Sequence, residues 1–287
     1  MANLKNTRRR ISSVKNTQQI TQAMKMVAAS RFRRAHEDVL AARPYAEKLH
    51  QVLSSLALRE KEAVHPLLGR HGRERALLLV MTSDRGLCGG FNMNVIKMVE
   101  RFVEDKAADF AAYDLMIIGR KGKDYFSHHG GHNIVKIYEG VTSKASYGVS
   151  SLLGQEVVAG FCDRTYDGAY LFFNAFRSAI CQQETVSQLL PIVPRETTAD
   201  ENVSRFIYEP DRRQVLESIL PKYVEVEIYR AFVESLASEH GARMSAMDSA
   251  TKNATQMIRR LTLQYNRMRQ AAITKELTEI ISGAESV

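Results

Sequence analysis

Few residues in this 287-residue chain could do chemistry, and they lie in its middle third. Ser83-Asp84-Arg85-Gly86-Leu87-Cys88-Gly89-Gly90-Phe91-Asn92 follows the apolar run Ala76 to Met81 and precedes an amphipathic stretch. A glycine-rich turn between a strand and a helix is where a doubly wound sheet presents backbone N–H groups to a phosphate. This turn lacks the lysine and the spacing of such a loop, and neither G-x-x-x-x-G-K-[ST] nor G-x-G-x-x-G occurs in the chain. Nucleotide binding and a tight structural turn are both open here, and the missing lysine favours the turn. Cys88 would need a base to act as a nucleophile, and none is identifiable, so a small buried thiol is the better reading. His128, His129 and His132 could reach one metal ion, but no carboxylate or cysteine is placed to complete a ligand set, which favours a solvated loop. The chain is therefore expected to hold no cofactor and no metal and to carry no catalytic group.

These residues sit in a block, about 74–200, where strand and helix patterns alternate. Ala76 to Met81, Leu115 to Ile118, Ile134 to Tyr138 and Ala169 to Phe176 read as strands, and Thr185 to Ile192 as a last strand or hairpin partner. Asn94 to Phe102 and Ser151 to Phe161 read as helices between them. Such alternation predicts a mostly parallel sheet with helices on its faces, a Rossmann-like α/β domain. Linkers rich in Pro, Gly and polar residues, His65 to Arg73 and Pro191 to Pro210, bound it.

The flanks are helical. Heptad spacing from Ile11 to Leu56 meets apolar residues everywhere except Gln18, Thr21 and Lys25. Pro44 is the one breaker and should kink rather than end a helix from Leu4 to Leu58, about 80 Å long. The same test from Val226 to Ala271 finds polar residues only at His240, Arg243 and Gln264, in a helix running from Asp211 to Gly283. The chain thus divides into 1–64, an N-terminal coiled-coil helix, 74–200, the α/β domain, and 210–284, a C-terminal coiled-coil helix.

Solitary helices of this length are marginal, so the two are expected to pair antiparallel. Buried polar groups are costly unless they meet, which places Gln18 to Lys25 opposite His240 to Arg243 and Thr21 beside Ala242. Everything after Arg260 would then project bare by about 40 Å. Its apolar residues, among them Leu263, Ile273, Leu277 and Ile280, would need a collar of other chains or a second copy.

Charge narrows the partners. The net charge is +8, and residues 1–36 hold Lys5, Arg8, Arg9, Arg10, Lys15, Lys25, Arg31, Arg33 and Arg34 with no acid before Glu37. Basic ends predict an acidic partner, whether nucleic acid, membrane surface or protein. Phe32 is the only aromatic among those residues, which argues against base stacking and so against a nucleic-acid binder. No apolar run is long enough to cross a bilayer, and three unpaired-looking cysteines fit a reducing compartment.

At this point a family resemblance becomes specific. Ile11-Ser12-Ser13-Val14-Lys15-Asn16-Thr17-Gln18-Gln19-Ile20-Thr21-Gln22-Ala23-Met24-Lys25-Met26-Val27-Ala28-Ala29-Ser30 closely resembles the N-terminal signature of the gamma subunit of F-type ATP synthase. Ser83 to Gly90 is similar to that family's central loop. Ser238-Glu239-His240-Gly241-Ala242-Arg243-Met244 and Leu261-Thr262-Leu263-Gln264-Tyr265-Asn266-Arg267 resemble its C-terminal signature. The resemblance covers the whole chain, and because it begins within the first dozen residues the Arg-rich start is not expected to be a removable transit peptide.

The resemblance implies a rotating central shaft, non-catalytic itself, that couples proton flow through the membrane c-ring to ATP synthesis and regulates ATPase activity. Implied partners are the alpha and beta subunits of the catalytic ring, the epsilon subunit and the c-ring, with one copy per complex and no nucleic acid. The implied location is peripheral, on the cytoplasmic face of the bacterial inner membrane. Carried over by position, Met24 and Lys25 match the segment that meets a mobile acidic beta loop, and Arg269, Gln270 and Thr274 the segment that meets a second beta loop. Phe206, Tyr208 and Glu209 match the foot against the c-ring. The chain departs from the pattern at Gly241, where alanine is usual, and lacks the inserted cysteine pair of the chloroplast relatives.

Overall fold

The structure, a computed structural model, describes residues 2–59, 65–69, 72–106, 109–142, 146–179, 181–193 and 212–285. In chain order these form α1 (Ala2–Arg59), a 3-10 turn (Pro66–Leu68), β1 (Arg75–Met81), α2 (Phe91–Asp105), β2 (Ala112–Ile118) and α3 (Arg120–His129). Then follow β3 (Asn133–Tyr138), α4 (Tyr147–Cys162), β4 (Gly168–Phe176), β5 (Gln182–Leu190) and α5 (Arg212–Glu285). The fold is α/β, with long N- and C-terminal helices pairing antiparallel and a sheet domain inserted between them in sequence. Two compact units divide it. One is the start of α1 to Ala29 with α5 from Arg243 onward, and the other is Ser30–Ala242.

In the larger unit the sheet order is β3-β2-β1-β4-β5. β1 pairs parallel with β2 and β4, β2 parallel with β3, and β5 antiparallel with β4. Period-two alternation sorts β1 between two cores. Leu77, Leu79 and Met81 face a core with α4, α5 and the end of α1, while Ala76, Leu78 and Val80 face one with α2 and α3. Because both faces are covered, β1 reads as an unbroken apolar run. On the first side Gly154 of α4 meets α5 so closely that a Cβ there would lie 2.8 Å from Glu225 Cγ and 3.0 Å from its Cα.

Sequence reading missed α3, placing His128 and His129 in a loop. They form its last turn, each ring Nδ1 hydrogen-bonded to a carbonyl one turn back, Asp124 O at 2.6 Å and Tyr125 O at 3.0 Å. The helix has few apolar residues, so periodicity is faint. Its start is set from outside: Gly119, at φ +100°, packs where any Cβ would lie 2.1 Å from Thr82 O, and Asp84 Oδ1 accepts the Arg120 N–H at 3.1 Å.

In the smaller unit, and on into the larger, α1 buries the heptad expected of it, with Thr21, Ala28, Ala35, Val39, Ala46 and Leu53 enclosed, and the helix continues through Pro44. The register expected for the pair is wrong. Gln18 Nε2 donates to Thr255 Oγ1 at 2.7 Å, Thr21 and Thr251 hydroxyls lie 2.8 Å apart, and Lys25 Nζ donates to Asp248 Oδ1 at 2.6 Å. Thr21 therefore sits about two and a half helical turns further along α5 than Ala242. The polar gap of α1 does meet polar residues, but these are Asp248, Thr251 and Thr255, whereas His240 and Arg243 are buried in the larger unit or at its border. On α5 the seam runs through Met247, Thr251, Ala254, Ile258, Leu261, Tyr265, Met268 and Ala272, the last half-buried one among the described side chains. The bare end after it is about 20 Å long, half the expected overhang.

Candidate functional site

The crevice where a sheet of this order would bind a ligand lies at the carboxyl ends of β1 and β4, where strand order reverses. Here it is closed by the turn itself. The Ser83 N–H and Oγ–H donate to Asn92 Oδ1 (2.8 and 3.1 Å) or, for the hydroxyl, to Arg85 O at 2.6 Å, and Asn92 Nδ2 donates to Ser83 Oγ and toward Cys88 Sγ. Cys88, 2% exposed, packs with Phe91 and Ala242, the buried thiol expected. Asp84 Oδ2 accepts from Thr142 Oγ1 at 2.5 Å and Oδ1 from Gly140 N at 3.1 Å. Burial opposes the Asp84 charge, but the bonds from Thr142, Gly140 and Arg120 outweigh it and hold its pKa below the usual range. A cavity beside it, lined by Met81, Thr82, Thr142, Phe232, Ser235, Leu236 and Glu239, has a volume of about 10 Å³. Ligand pockets run to roughly 300–1,000 Å³. The turn ties β1 to α2 through Ser83 and Asn92 and to α3 through Asp84 and Arg120.

His129 stacks on Tyr125 with centroids 4.0 Å apart, and His132 meets Phe126 edge-on at 5.4 Å, so the three histidines are engaged separately. No group of three or more His, Cys, Asp or Glu among the described residues is placed to hold a metal.

What the smaller unit offers instead is surface. Arg8, Arg9, Arg10 and Lys15 on α1 and Arg259, Arg260, Arg267 and Arg269 on α5 are exposed, with no acid on α5 between Asp248 and Glu276. Ile20, Met26 and Val27 on α1 and Leu263, Ile273, Leu277 and Ile280 on α5 are exposed as well. A basic face with large apolar side chains on it suits a close, acidic protein partner. Met24 is half-buried, and Lys25 beside it is held by Asp248, which Lys252 also contacts at 2.7 Å. Hydrogen bonds from Lys25 and Lys252 take the Asp248 pKa down to about 2. Arg269, Gln270 and Thr274 are exposed near the bare end of α5, about 30–40 Å along the helix from Asp248. Phe206, Tyr208 and Glu209 lie outside the described residues.

Sequence reasoning also missed a polar joint in the larger unit. Arg43 of α1 donates Nε to Glu234 Oε1 of α5 at 3.2 Å and Nη2 to Phe176 O of β4 at 2.7 Å. Glu234 Oε2 accepts the Phe176 N–H at 3.2 Å. Arg230 bonds Glu227 and Glu234, at 2.7 and 3.3 Å. Burial works against the Arg230 charge, but the two carboxylates more than offset that and raise its pKa. A buried backbone group without such partners costs about 1–3 kcal/mol.

Known proteins place this architecture. The family model described as ATP synthase matches residues 3–287. Proteins named ATP synthase gamma chain match end to end, that of Geobacter metallireducens at 56% identity over 100% of this chain and 99% of its own. The chain belongs to the ATP synthase gamma-chain family. Another gamma chain, from Trichlorobacter lovleyi, is 52% identical over 100% of this chain and 99% of its own. Among solved structures, the gamma-like fold recurs in a chain of the Euglena gracilis mitochondrial ATP synthase assembly of OSCP, F1 and c-ring. The TM-score there is 0.68 and the identity 18%, over 99% of this chain and 94% of that one. A chain of the Tetrahymena thermophila central stalk and c-ring matches with TM-score 0.61 and 24% identity, over 80% of this chain and 99% of that one. Among the described residues of this gamma-family chain, no helix is long and apolar enough to cross a membrane.

Proposed function

We propose that this gamma-family chain is the rotating central shaft of an F-type ATP synthase, non-catalytic itself. It couples ion flow through the membrane c-ring to ATP synthesis in a ring of alpha and beta subunits. The observation that carries the reading is the bare end of α5: Ile273, Leu277, Ile280 and Ile281 are exposed on a helix that has outrun its partner. Such a stretch favours enclosure by other chains. The basic face below it complements acidic loops of a surrounding ring. A sheet crevice filled by the turn's own hydrogen bonds is compatible with a shaft that leaves the chemistry to other subunits.

On this reading Met24, Lys25, Arg269, Gln270 and Thr274 face the catalytic ring, and Phe206, Tyr208 and Glu209 form the foot on the c-ring beside epsilon. An asymmetric shaft presents a different face to each catalytic subunit at each angle and so favours a different conformation of each, a population shift driven by rotation. The chain is then peripheral, one copy per complex, at the cytoplasmic face of the inner membrane, and a part in regulating ATPase activity follows from the same contacts. Purification of tagged chain from detergent-solubilised membranes tests this. Recovery of the alpha, beta, epsilon and c chains, with one tagged chain per three beta chains, is expected. Recovery of the chain alone or as a homo-oligomer contradicts it.

A further inference from the structure

We infer that Arg43, Glu234 and the backbone of Phe176 form the joint through which torque passes between the sheet and the paired helices. The inference rests on the shaft reading and adds the residues that make the sheet turn with the helices. β4 pairs with β1 only as far as Phe172, while β4 itself runs on to Phe176. At that last residue the long helices take the place of a neighbouring strand. Arg43 of α1 binds its C=O and Glu234 of α5 its N–H, and Arg43 and Glu234 also bind each other. Its ring is seated as well, 5.6 Å from Phe32 and 5.3 Å from His36 of α1. One strand end is therefore gripped by both helices at once through directional bonds. The Glu234 side chain is 4% exposed and that of Arg43 36%, so the carboxylate side of the grip is shielded from water while the arginine reaches in from the surface. Apolar packing alone resists separation but is non-directional, whereas a two-sided backbone grip also resists sliding and twisting.

The test uses the assembled membrane complex, fixed through its catalytic ring and otherwise free of accessible cysteine. A bead is carried on Cys162, exposed at the end of α4, in a chain with Cys181→Ser, Cys88 being buried. Angular fluctuation is recorded between turnovers. Arg43→Ala should raise the angular variance at least twofold. Arg43→Lys, which keeps the charge but offers one ammonium instead of a fork, should fall between. The double variant Arg43→Met with Glu234→Met, whose apolar side chains can keep the site packed but leave the Phe176 N–H and C=O unpaired, should fluctuate as much as Arg43→Ala, whereas Gly154→Ala, which lowers stability away from the grip, should fluctuate as wild type does. Lys121→Ala, which removes the exposed Lys121–Asp124 pair, should change nothing. If the wild-type bead turns with ATP but the Arg43 and double variants fluctuate as wild type does, the joint is refuted and the shaft reading stands. The joint is equally refuted if Gly154→Ala raises the variance as much as Arg43→Ala does, since fluctuation then follows stability rather than the grip. If the wild-type bead never turns, the shaft reading itself fails.

Discussion

Gly154→Ala measures how tightly α4 is seated on α5. The new Cβ would lie 2.8 Å from Glu225 Cγ, 3.0 Å from Glu225 Cα and 3.2 Å from Glu225 N. Carbon atoms prefer about 3.5–4.0 Å, so the helices must part by roughly 0.5–1 Å. The side chain alone cannot make room. Two of the three clashing atoms are backbone, and the Glu225 carboxylate is engaged by Tyr147 Oη at 2.9 Å and Gln155 Nε2 at 3.5 Å. Overpacking costs about 1–3 kcal/mol, and alanine returns up to about 1 kcal/mol of helix propensity. With the full return the net expectation is about 0–2 kcal/mol of destabilisation in urea unfolding followed by circular dichroism. A second readout is local. Burial first, then the bond to Glu225, pushes the Tyr147 pKa up to about 12. Its contribution to stability is thus present below the ordinary tyrosine value near 10 and lost as pH rises through about 12. Retreat of α4 loosens that contact, so Tyr147 in the variant should titrate closer to 10 by NMR of labelled tyrosine. Equal or greater stability with an unchanged Tyr147 titration would refute the close approach.

Other expectations follow from the helix pair. Cysteines at Thr21 and Thr251, with the native three replaced, should cross-link on oxidation, and cysteines at Thr21 and Ala242 should not; the reverse would restore the other register. The depressed pKa of Asp248 means that its pairing stabilises above the ordinary carboxylate value and is lost as pH falls through about 2. The Asp248 carboxyl should accordingly titrate near 2 by NMR, and higher in Lys25→Met. If Met24 faces an acidic loop of the catalytic ring, as proposed, Met24→Lys places a point charge where a half-buried thioether would slide past it. The variant complex should hydrolyse ATP but acidify membrane vesicles poorly for its hydrolysis rate, and proportionate pumping would show that this position does not set coupling.

The α1 seam was legible because as far as Lys48 one helix face alone is covered, and its spacing gives that face unambiguously. On α5 two heptad phases share Met247, Ala254, Leu261 and Met268, and neighbours such as Met257 and Ile258 or Ala271 and Ala272 let either phase score. Packing selects Thr251, Ile258, Tyr265 and Ala272. That ambiguity hid Thr251 as the partner of Thr21 and shifted the register. Further back, α5 is buried nearly all round between Tyr223 and Arg243, so periodicity there carries no direction. Gly241 has a local reason that no pattern discloses: a Cβ would lie 3.0 Å from Ala179 O, in the turn after β4. The Arg43, Glu234 and Phe176 joint unites three elements distant in sequence and left no local signal.

Rotation of this chain inside its complex is the most direct test. With the catalytic ring held fixed and a polarised fluorophore rigidly attached at Cys162, ATP should drive rotation in one direction with three pauses per turn, one for each catalytic site. Steady ATP hydrolysis by the same complexes, with the fluorophore fixed in orientation relative to the ring, would contradict the shaft.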